Sequence, residues 1–248
     1  MENSGNCWDR FEHKTLLTFT GYRERAVRIL SELDRVGMSS VNVQWQFPSP
    51  FDGAILRHIK HEVGRGLDND IRFMSCTMGH YRAIKTAFHL GCKSVMVMED
   101  DIRFLKDLDK ISAAVHSVPD NYDIAMFDLF PAKGTKASVV SSWRDSRKVN
   151  DFWAEFDNMY SMGCYAMSRR AMERYIWLNE AAVTKPSIGM MRVCDHFIDR
   201  NYFWPDAHMY FARTNVAVQR ADDNSNSKRE RILASYSRIG IDMSAYAE

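Results

Sequence analysis

The stretch SVMVMEDDIRF, residues 94–104, joins an apolar run directly to three consecutive acids. The run SVMVM is typical of a buried strand, and Glu99, Asp100 and Asp101 follow at the point where it ends. Strands disfavour Asp, and adjacent carboxylates repel one another, so strand propensity does not explain this cluster. A cation bound at the end of the strand would explain it.

Helical patterns flank this apolar run. The segment before it, residues 77–91, carries apolar side chains at helical spacing and ends at Gly91, a natural left-handed cap. A continuous apolar strand between helices is typical of a parallel sheet that is covered on both faces, and such sheets bind ligands at the carboxyl ends of their strands. The predicted fold class is therefore α/β, with a mostly parallel central sheet flanked by helices.

The N-terminal part of the chain repeats the alternation of strand and helix. Residues 15–19 (TLLTF) predict a short buried strand, and residues 22–36 place apolar side chains on one helical face before Gly37. Residues 40–47 (SVNVQWQF) then alternate with the period of a strand. These segments therefore predict a strand, a helix and a strand in succession.

Composition and charge limit the classes of partner. A chain of 248 residues, 46% hydrophobic and 26% charged, suffices for one large α/β domain or two small ones. The formal net charge of +1 provides no overall field that would attract nucleic acid, so we expect no nucleic-acid partner. No segment has the apolar length of a signal peptide or a membrane span, which predicts a soluble, cytoplasmic protein.

The five cysteines are an odd number, are widely scattered and form no CxxC pair. This pattern favours free thiols in a reducing compartment over disulfides. It also argues against a structural zinc site, because such sites usually show closely spaced Cys and His ligands.

Two interpretations of the acids are open at this point. In the first, Asp100 or Asp101 is the N-cap of a helix predicted for residues 104–115, where a carboxylate accepts backbone hydrogen bonds and interacts favourably with the helix dipole. In the second, Glu99 and Asp101 lie near a divalent cation, which offsets their repulsion and in turn neutralises a diphosphate. A short acidic motif alone does not separate the two.

Four segments in order carry a more specific signal: SCTMGHYRAIKTAFHLGCKSVMVMEDDIRF, YDIAMFDLF, YSMGCYAMSRRAMERYI and CDHFIDR. Together they resemble the motif series of glycosyltransferase family 25, the lipooligosaccharide and procollagen galactosyltransferase group, over residues 16–220. The resemblance implies a GT-A type nucleotide-sugar-binding fold. It also implies inverting transfer of a sugar, most often galactose from UDP-galactose, with manganese as the usual metal and lipopolysaccharide biosynthesis as one setting.

The resemblance assigns roles to the donor site. The acidic triplet matches the element that holds metal and diphosphate, so Glu99 and Asp101 are predicted to bind Mn²⁺ or Mg²⁺, and Asp100 to contact the UDP-sugar. Arg25 falls where the family has an arginine after the first strand, and its guanidinium fork suits a phosphate or a uracil edge; a solvated arginine on a helix is the structural alternative. Gly163 matches a glycine that lets the backbone approach the donor sugar.

Other matching residues have structural interpretations beside the functional one. His80 matches a histidine that usually follows Ser, whereas Gly79 precedes it here, and the ring can equally pack at the start of a helix. Tyr165 is expected to pack in the core, and Ser168 to cap a helix over residues 169–178.

An inverting transferase needs a base that takes the proton from the acceptor hydroxyl. Asp195 in CDHFIDR is predicted to be this base, with Asp199 as the spare candidate and a helix N-cap as the structural alternative for Asp195. A third metal ligand is expected late in the chain, where His196 and His208 are available; His208 is named for it, with a hydrogen-bonded structural histidine as the alternative. Asp128 can face the same cleft and bind hydroxyls, or cap a turn before Pro131.

The last part of the chain differs in composition. Residues 222–227 form a polar break, and residues 228–239 place apolar side chains on one helical face with basic residues around it. The predicted organisation is a glycosyltransferase domain, residues 1–221, followed by an amphipathic helical tail, residues 222–248. The tail is predicted to dock onto its own domain, with peripheral membrane contact through residues 228–239 as the alternative.

The sequence thus predicts an inverting, metal-assisted glycosyltransferase that moves a sugar from UDP to a glycan, a glycolipid or another hydroxylated acceptor. One alternative is a metal-dependent phosphohydrolase, which also places acids after a strand; the EDDIRF segment, however, lacks the DxDxT arrangement of such enzymes. The other alternative is a non-catalytic protein that keeps the fold and binds glycan or nucleotide.

Overall fold

The computed structural model describes residues 6–46, 54, 70–128, 146–156, 162–184, 204–221 and 226–246. Within these residues, seven strands form a central sheet. In spatial order they are β2 (Asn42–Gln46), β1 (His13–Phe19), β3 (Ser94–Glu99), β7 (Cys164–Ser168), β5 (Ile124–Met126), β8 (Met209–Ala212) and β6 (Trp153–Glu155). Two further strands, β4 (Ile102–Phe104) and β9 (Ala217–Gln219), pair antiparallel in a second, smaller sheet.

Most strands of the central sheet run in one direction. β1 pairs in parallel with both β2 and β3, and β5 pairs in parallel with β8. β7 lies antiparallel between β3 and β5, and β6 lies antiparallel to β8. Five strands therefore point one way and two point the other, which confirms the predicted mostly parallel sheet.

Helices cover both faces of this sheet, as predicted. They are α1 (Arg23–Arg35), α2 (Asp70–His89), α3 (Leu108–His116), α4 (Arg169–Thr184) and α5 (Asn226–Arg238). Side chains of α1, α3 and α5 belong to one buried core, and side chains of α2 and α4 belong to the other. Strand β3 supplies both, because successive side chains point to opposite faces: Met96 and Met98 join the first core, Val95 and Val97 the second.

Local signals at the helix ends agree with the structure in two places and fail in a third. Gly91, after α2, has φ +81°, and the Ser168 hydroxyl accepts a hydrogen bond from Ala171 N at the start of α4. Helix α3, however, begins at Leu108 and is capped by Asp107. The predicted helix start at residue 104 is wrong, because that residue lies in β4. The interpretation of Asp100 or Asp101 as the N-cap of that helix is therefore wrong as well.

The amphipathic segment near the C-terminus packs onto the domain. Ile232 and Tyr236 of α5 are fully buried in the first core, and the Tyr246 hydroxyl donates a hydrogen bond to Asn215 O at 2.6 Å. Docking of this helix is therefore observed, while the domain division at residue 221 stays a prediction. No helix in the described part of the chain is long and apolar enough to cross a membrane.

Candidate functional site

The candidate site lies at the carboxyl ends of β1 and β3. These strands are parallel and adjacent, with Leu17 opposite Glu99, so the last residues of β1 lie beside the acidic triplet. Helix α1 follows β1 closely and brings Arg25 to the same edge. The topology thus places Thr18, Arg25 and the three acids together, as the parallel arrangement predicts.

Asp100 is held by protein groups. The Thr18 hydroxyl donates a hydrogen bond to Asp100 Oδ2 at 2.5 Å, and Arg25 Nη1 lies 3.8 Å from Asp100 Oδ1. Burial raises the pKa of Asp100, although the hydroxyl and the guanidinium act in the opposite direction. Because its two oxygens already face these partners, Asp100 is better placed to orient Arg25 than to bind a metal.

Asp101 is also buried but is less well satisfied. Its Oδ2 accepts a hydrogen bond from Gln219 Nε2 at 2.9 Å, whereas its Oδ1 has no hydrogen-bond partner among the described residues. Burial, reinforced by the negative charge of Glu99, raises the pKa of Asp101 to about 7. A buried carboxylate oxygen without a donor is costly, and a cation in the neighbouring space would remove that cost.

Glu99 contacts two side chains of α2. The Cys76 thiol donates to Glu99 Oε1 at 3.3 Å, and His80 Nε2 lies 3.2 Å from the same oxygen. The other ring nitrogen, His80 Nδ1, lies 3.0 Å from the Tyr165 hydroxyl. Burial lowers the pKa of His80, but the hydrogen bonds with Cys76 and Glu99 outweigh it and raise the pKa to about 10. His80 therefore joins the site and does not merely pack at a helix start.

The three acids line a cleft of about 470 Å³, a volume that includes the solvent at its mouth. Arg25, Tyr22 and Gln46 line it as well. The Arg25 guanidinium lies 4.3 Å from the centre of the Tyr22 ring, which is 44% exposed. A cation beside an exposed aromatic ring provides groups that contact phosphates and planar bases.

Close packing at this edge explains the glycine before His80. A Cβ on Gly79 would lie 2.9 Å from Gln46 Cδ, and Gln44 Nε2 donates to Gly79 O at 3.2 Å. Helix α2 therefore approaches the end of β2 so closely that a serine at position 79 would displace Gln46 from its place in the cleft wall.

The donor set fits a hard divalent cation. Mn²⁺ and Mg²⁺ prefer oxygen ligands, and the two acids Glu99 and Asp101 line the same cleft. Asp101 Oδ1, which has no hydrogen-bond partner in the part of the chain that the structure describes, is the observation that supports this fit. Among the predicted metal ligands, these two acids line the same cleft.

His208 does not share that site. It precedes β8, its backbone N–H donates to Asp123 Oδ2, and its carbonyl accepts from Asp123 N. The strand register places it at the level of Ser94, five residues before Glu99, which corresponds to about 16 Å along the sheet. The prediction of His208 as a third ligand beside Glu99 and Asp101 is therefore corrected, because the direction of β8 puts it at the opposite edge.

Gly163 and Asp128 do lie near the acidic edge. The Gly163 carbonyl accepts a hydrogen bond from Glu99 N at 2.8 Å, so the glycine adjoins the metal-binding candidates. Asp128, after β5, is buried, and its Oδ1 accepts from the Tyr236 hydroxyl at 2.9 Å. Contacts of Gly163 with a donor sugar and of Asp128 with an acceptor stay predictions. Asp195 and Asp199 lie outside the described residues.

A hydrogen-bonded chain that the sequence did not predict supports Asp101 from the C-terminal side. The Tyr236 hydroxyl donates to Asp128 and accepts from Gln219 N at 2.6 Å. The Gln219 side chain in turn donates to Asp101. Helix α5 thus takes part in positioning two carboxylates at this edge.

Comparisons with known proteins give no family match and structural alignments of low identity. No family model and no curated protein matches the chain, so membership of glycosyltransferase family 25 stays a prediction. Among solved structures, a glycosyltransferase involved in the glycosylation of the major capsid of PBCV-1 aligns with TM-score 0.47 and 9% identity over 88% of this chain and 98% of that one.

Two further structures align less closely. Mannose-1-phosphate geranyltransferase from Thermus thermophilus gives TM-score 0.41 and 9% identity over 84% of this chain and 74% of that one. Mouse xyloside xylosyltransferase 1 gives TM-score 0.38 and 11% identity over 79% and 69% of the two chains. Similarity of this degree does not establish a shared activity, so the function has to be argued from the site.

Proposed function

We propose that the protein is a GT-A type glycosyltransferase that moves a sugar, galactose in the first instance, from a UDP-sugar to a hydroxyl of an acceptor. The observation that carries this proposal is the buried Asp101 Oδ1, which has no hydrogen-bond partner among the described residues, in an acid that lines one cleft with Glu99 and Arg25 at the carboxyl end of β3. A cation and a diphosphate satisfy these groups together, because each neutralises the other's charge.

Different residues of the cleft would bind the metal and the phosphates of the donor. Glu99 and Asp101 would hold Mn²⁺ or Mg²⁺, which would stabilise negative charge on the leaving diphosphate. Arg25 binds a phosphate through its guanidinium fork while Asp100 orients it. Gln219 fixes one oxygen of Asp101, which would leave the other oxygen for the cation.

The base is assigned to Asp195 on the strength of the family resemblance. A carboxylate that binds metal has a lowered pKa and is a poor proton acceptor, so the base has to come from outside the acidic triplet. In a single displacement Asp195 takes the proton of the acceptor hydroxyl as its oxygen attacks the anomeric carbon, and the C–O bond to the diphosphate breaks. Inversion then gives a β-linked product from UDP-α-galactose.

The acceptor is proposed to be a glycan, a glycolipid such as a lipooligosaccharide, or a similar hydroxylated molecule. This proposal rests on the resemblance of the four sequence segments to the family.

A screen of nucleotide sugars for metal-dependent hydrolysis tests the proposal without knowledge of the acceptor. We expect slow release of UDP from one sugar nucleotide in the presence of Mn²⁺, loss of release with a chelator, and no release by the Asp101→Asn variant. Release of phosphate from simple phosphate monoesters would instead support a phosphohydrolase. Tight UDP binding without turnover of any donor would support a non-catalytic protein.

A further inference from the structure

A second set of possible ligands consists of Cys76 and Glu99, which line the cleft, and the buried His80. Cys76 and His80 are four residues apart on α2 and therefore share one face of that helix. Their Sγ and Nε2 atoms lie 3.3 and 3.2 Å from Glu99 Oε1, and the three donor atoms all lie within 4.8 Å of one another. Sulfur, imidazole nitrogen and carboxylate oxygen thus converge on one point.

The spacing matches that of a tetrahedral zinc centre. Zinc binds Cys sulfur at about 2.3 Å, and His nitrogen and carboxylate oxygen at about 2.0–2.2 Å. Two ligand atoms on such a tetrahedron lie roughly 3.3–3.6 Å apart, which follows from those bond lengths and the tetrahedral angle. Both distances to Glu99 Oε1 are close to this separation, so modest side-chain rotation suffices to admit the ion.

The surroundings of His80 suit a metal ligand. A ligating histidine usually directs its second ring nitrogen to a fixed partner, which sets the tautomer and the ring orientation. His80 Nδ1 has such a partner in the Tyr165 hydroxyl at 3.0 Å, and the two rings stack with centroids 5.7 Å apart. Cys76 and Glu99 line the cleft, so solvent can reach the fourth position.

We propose that Cys76, His80 and Glu99 bind Zn²⁺ with a solvent molecule as the fourth ligand. A thiolate and an imidazole select zinc over manganese and magnesium, which prefer oxygen ligands. Binding replaces the protons of the Cys76 thiol and the His80 ring, which are released to solvent. The inference goes beyond the proposed transferase activity and has only Glu99 in common with it. The four-residue spacing of Cys76 and His80 was not weighed in the sequence argument against zinc, which could not include an acid that the fold brings to them.

Cobalt(II) reports on this site directly, because a thiolate ligand gives a charge-transfer band in the near ultraviolet and tetrahedral geometry gives strong visible bands. The metal-stripped full chain should bind one Co²⁺ with both features, and Zn²⁺ should displace it. Cys76→Ser should abolish the charge-transfer band and weaken zinc binding by more than about 100-fold, beyond the usual effect of an outer-shell change. Cys92→Ser, which alters a half-buried cysteine outside the cluster, should change neither.

Two further variants separate this proposal from the transferase proposal. Tyr165→Phe removes the partner of His80 and should weaken zinc binding roughly 10- to 100-fold. Asp101→Asn should leave zinc binding unchanged whatever it does to manganese. His80 is fully buried, so the test relies on Cys76, with circular dichroism to confirm that each variant is folded. A cobalt spectrum without the thiolate band, or a folded Cys76→Ser variant that binds zinc like the parent, would mean that the cluster is only a hydrogen-bonded triad.

Discussion

The two ends of the central sheet each carry a buried aspartate, and their surroundings differ sharply. At the amino end, Asp123 accepts hydrogen bonds from Arg170 Nε, from His208 N and from the Ser168 hydroxyl. At the carboxyl end, Asp101 accepts one from Gln219, and its Oδ1 has no partner among the described residues. The two residues are 3% and 8% exposed, so burial alone does not distinguish them.

The pKa values of Asp123 and Asp101 are shifted in opposite directions from the usual value of an aspartate. Burial tends to raise the pKa of Asp123, but Arg170 and the backbone N–H of His208 outweigh it and lower the pKa. At Asp101, burial and the charge of Glu99 raise the pKa to about 7. The same residue type is thus stabilised as an anion where donors surround it and destabilised where they are missing. We infer that Asp123 stabilises the fold, whereas Asp101 is placed to bind a cation.

The largest expected effect concerns Asp195, which lies outside the described residues. Asp195→Asn should reduce sugar transfer by roughly 10²- to 10⁴-fold, the contribution of a positioned general base, while donor and manganese affinities change little. Steady-state kinetics together with calorimetry separate the two quantities. The effect would distinguish a carboxylate that accepts a proton from one that binds metal.

Asp199→Asn is the matched control and should keep most of the activity. An Asp195→Asn variant with normal turnover would transfer the role of base to Asp199 or Asp128. An α-linked product, detected by NMR, would rule out the single inverting displacement altogether.

The next largest effect concerns the tail that supports the carboxyl end. Deleting residues 224–248 removes the buried side chains Ile232 and Tyr236 from the core. Truncating buried side chains of this size costs about 2–5 kcal/mol each, so the deletion should remove much of the stability of the domain and lower its melting temperature markedly.

Two point variants sharpen this result. Tyr236→Phe keeps the ring but removes the hydroxyl that Asp128 and Gln219 share, and should cost about 1–3 kcal/mol. Leu233→Ala alters a side chain of the same helix that is 36% exposed, and should cost clearly less. An unchanged melting temperature after the deletion, combined with loss of sedimentation with anionic vesicles, would favour the membrane alternative.

The sequence predicted the elements that local patterns determine. The apolar run of β3, the glycine after α2 and the cap at Ser168 are all local signals, and the structure contains them. The sequence did not predict strand β4, because its partner β9 follows more than 100 residues later in the chain and no local pattern indicates that pairing. The predicted start of the next helix was wrong for the same reason.

The candidate site was predictable only in part. Glu99, Asp100 and Asp101 are adjacent in sequence and end a strand, so their clustering could be read directly. The position of His208 could not be predicted, because it depends on the direction in which β8 runs. Cys76 and His80 show a readable four-residue spacing, but their meeting with Glu99 depends on how α2 packs on the sheet.

A pH-dependent effect should appear at the amino end. Asp123→Asn should cost about 1.5–3 kcal/mol at neutral pH, the usual range for hydrogen bonds to a charged group. Because the folded-state pKa of Asp123 is lowered, its contribution is present above the unfolded pKa of about 3.9 and is lost as the pH falls through the folded value. The difference in unfolding free energy between parent and variant should therefore shrink below about pH 4.

Urea unfolding at neutral and acidic pH measures this difference. Asp206→Asn is the control, since Asp206 also pairs with Arg170 but is 80% exposed, and it should cost less than about 1 kcal/mol. A difference for Asp123→Asn that is equal at both pH values would show that the carboxylate is not stabilised by its charge.

Calorimetric titration of Mn²⁺ in the presence of UDP tests the contrast between the two ends most directly, with the parent, Asp101→Asn and Asp123→Asn compared side by side. We expect the parent and a folded Asp123→Asn variant to bind with similar affinity. Asp101→Asn should bind more than about 100-fold more weakly, because it loses a metal ligand and not an outer-shell contact. An Asp101→Asn variant that binds manganese and UDP as tightly as the parent would contradict the assignment of a cation to the carboxyl end of the sheet.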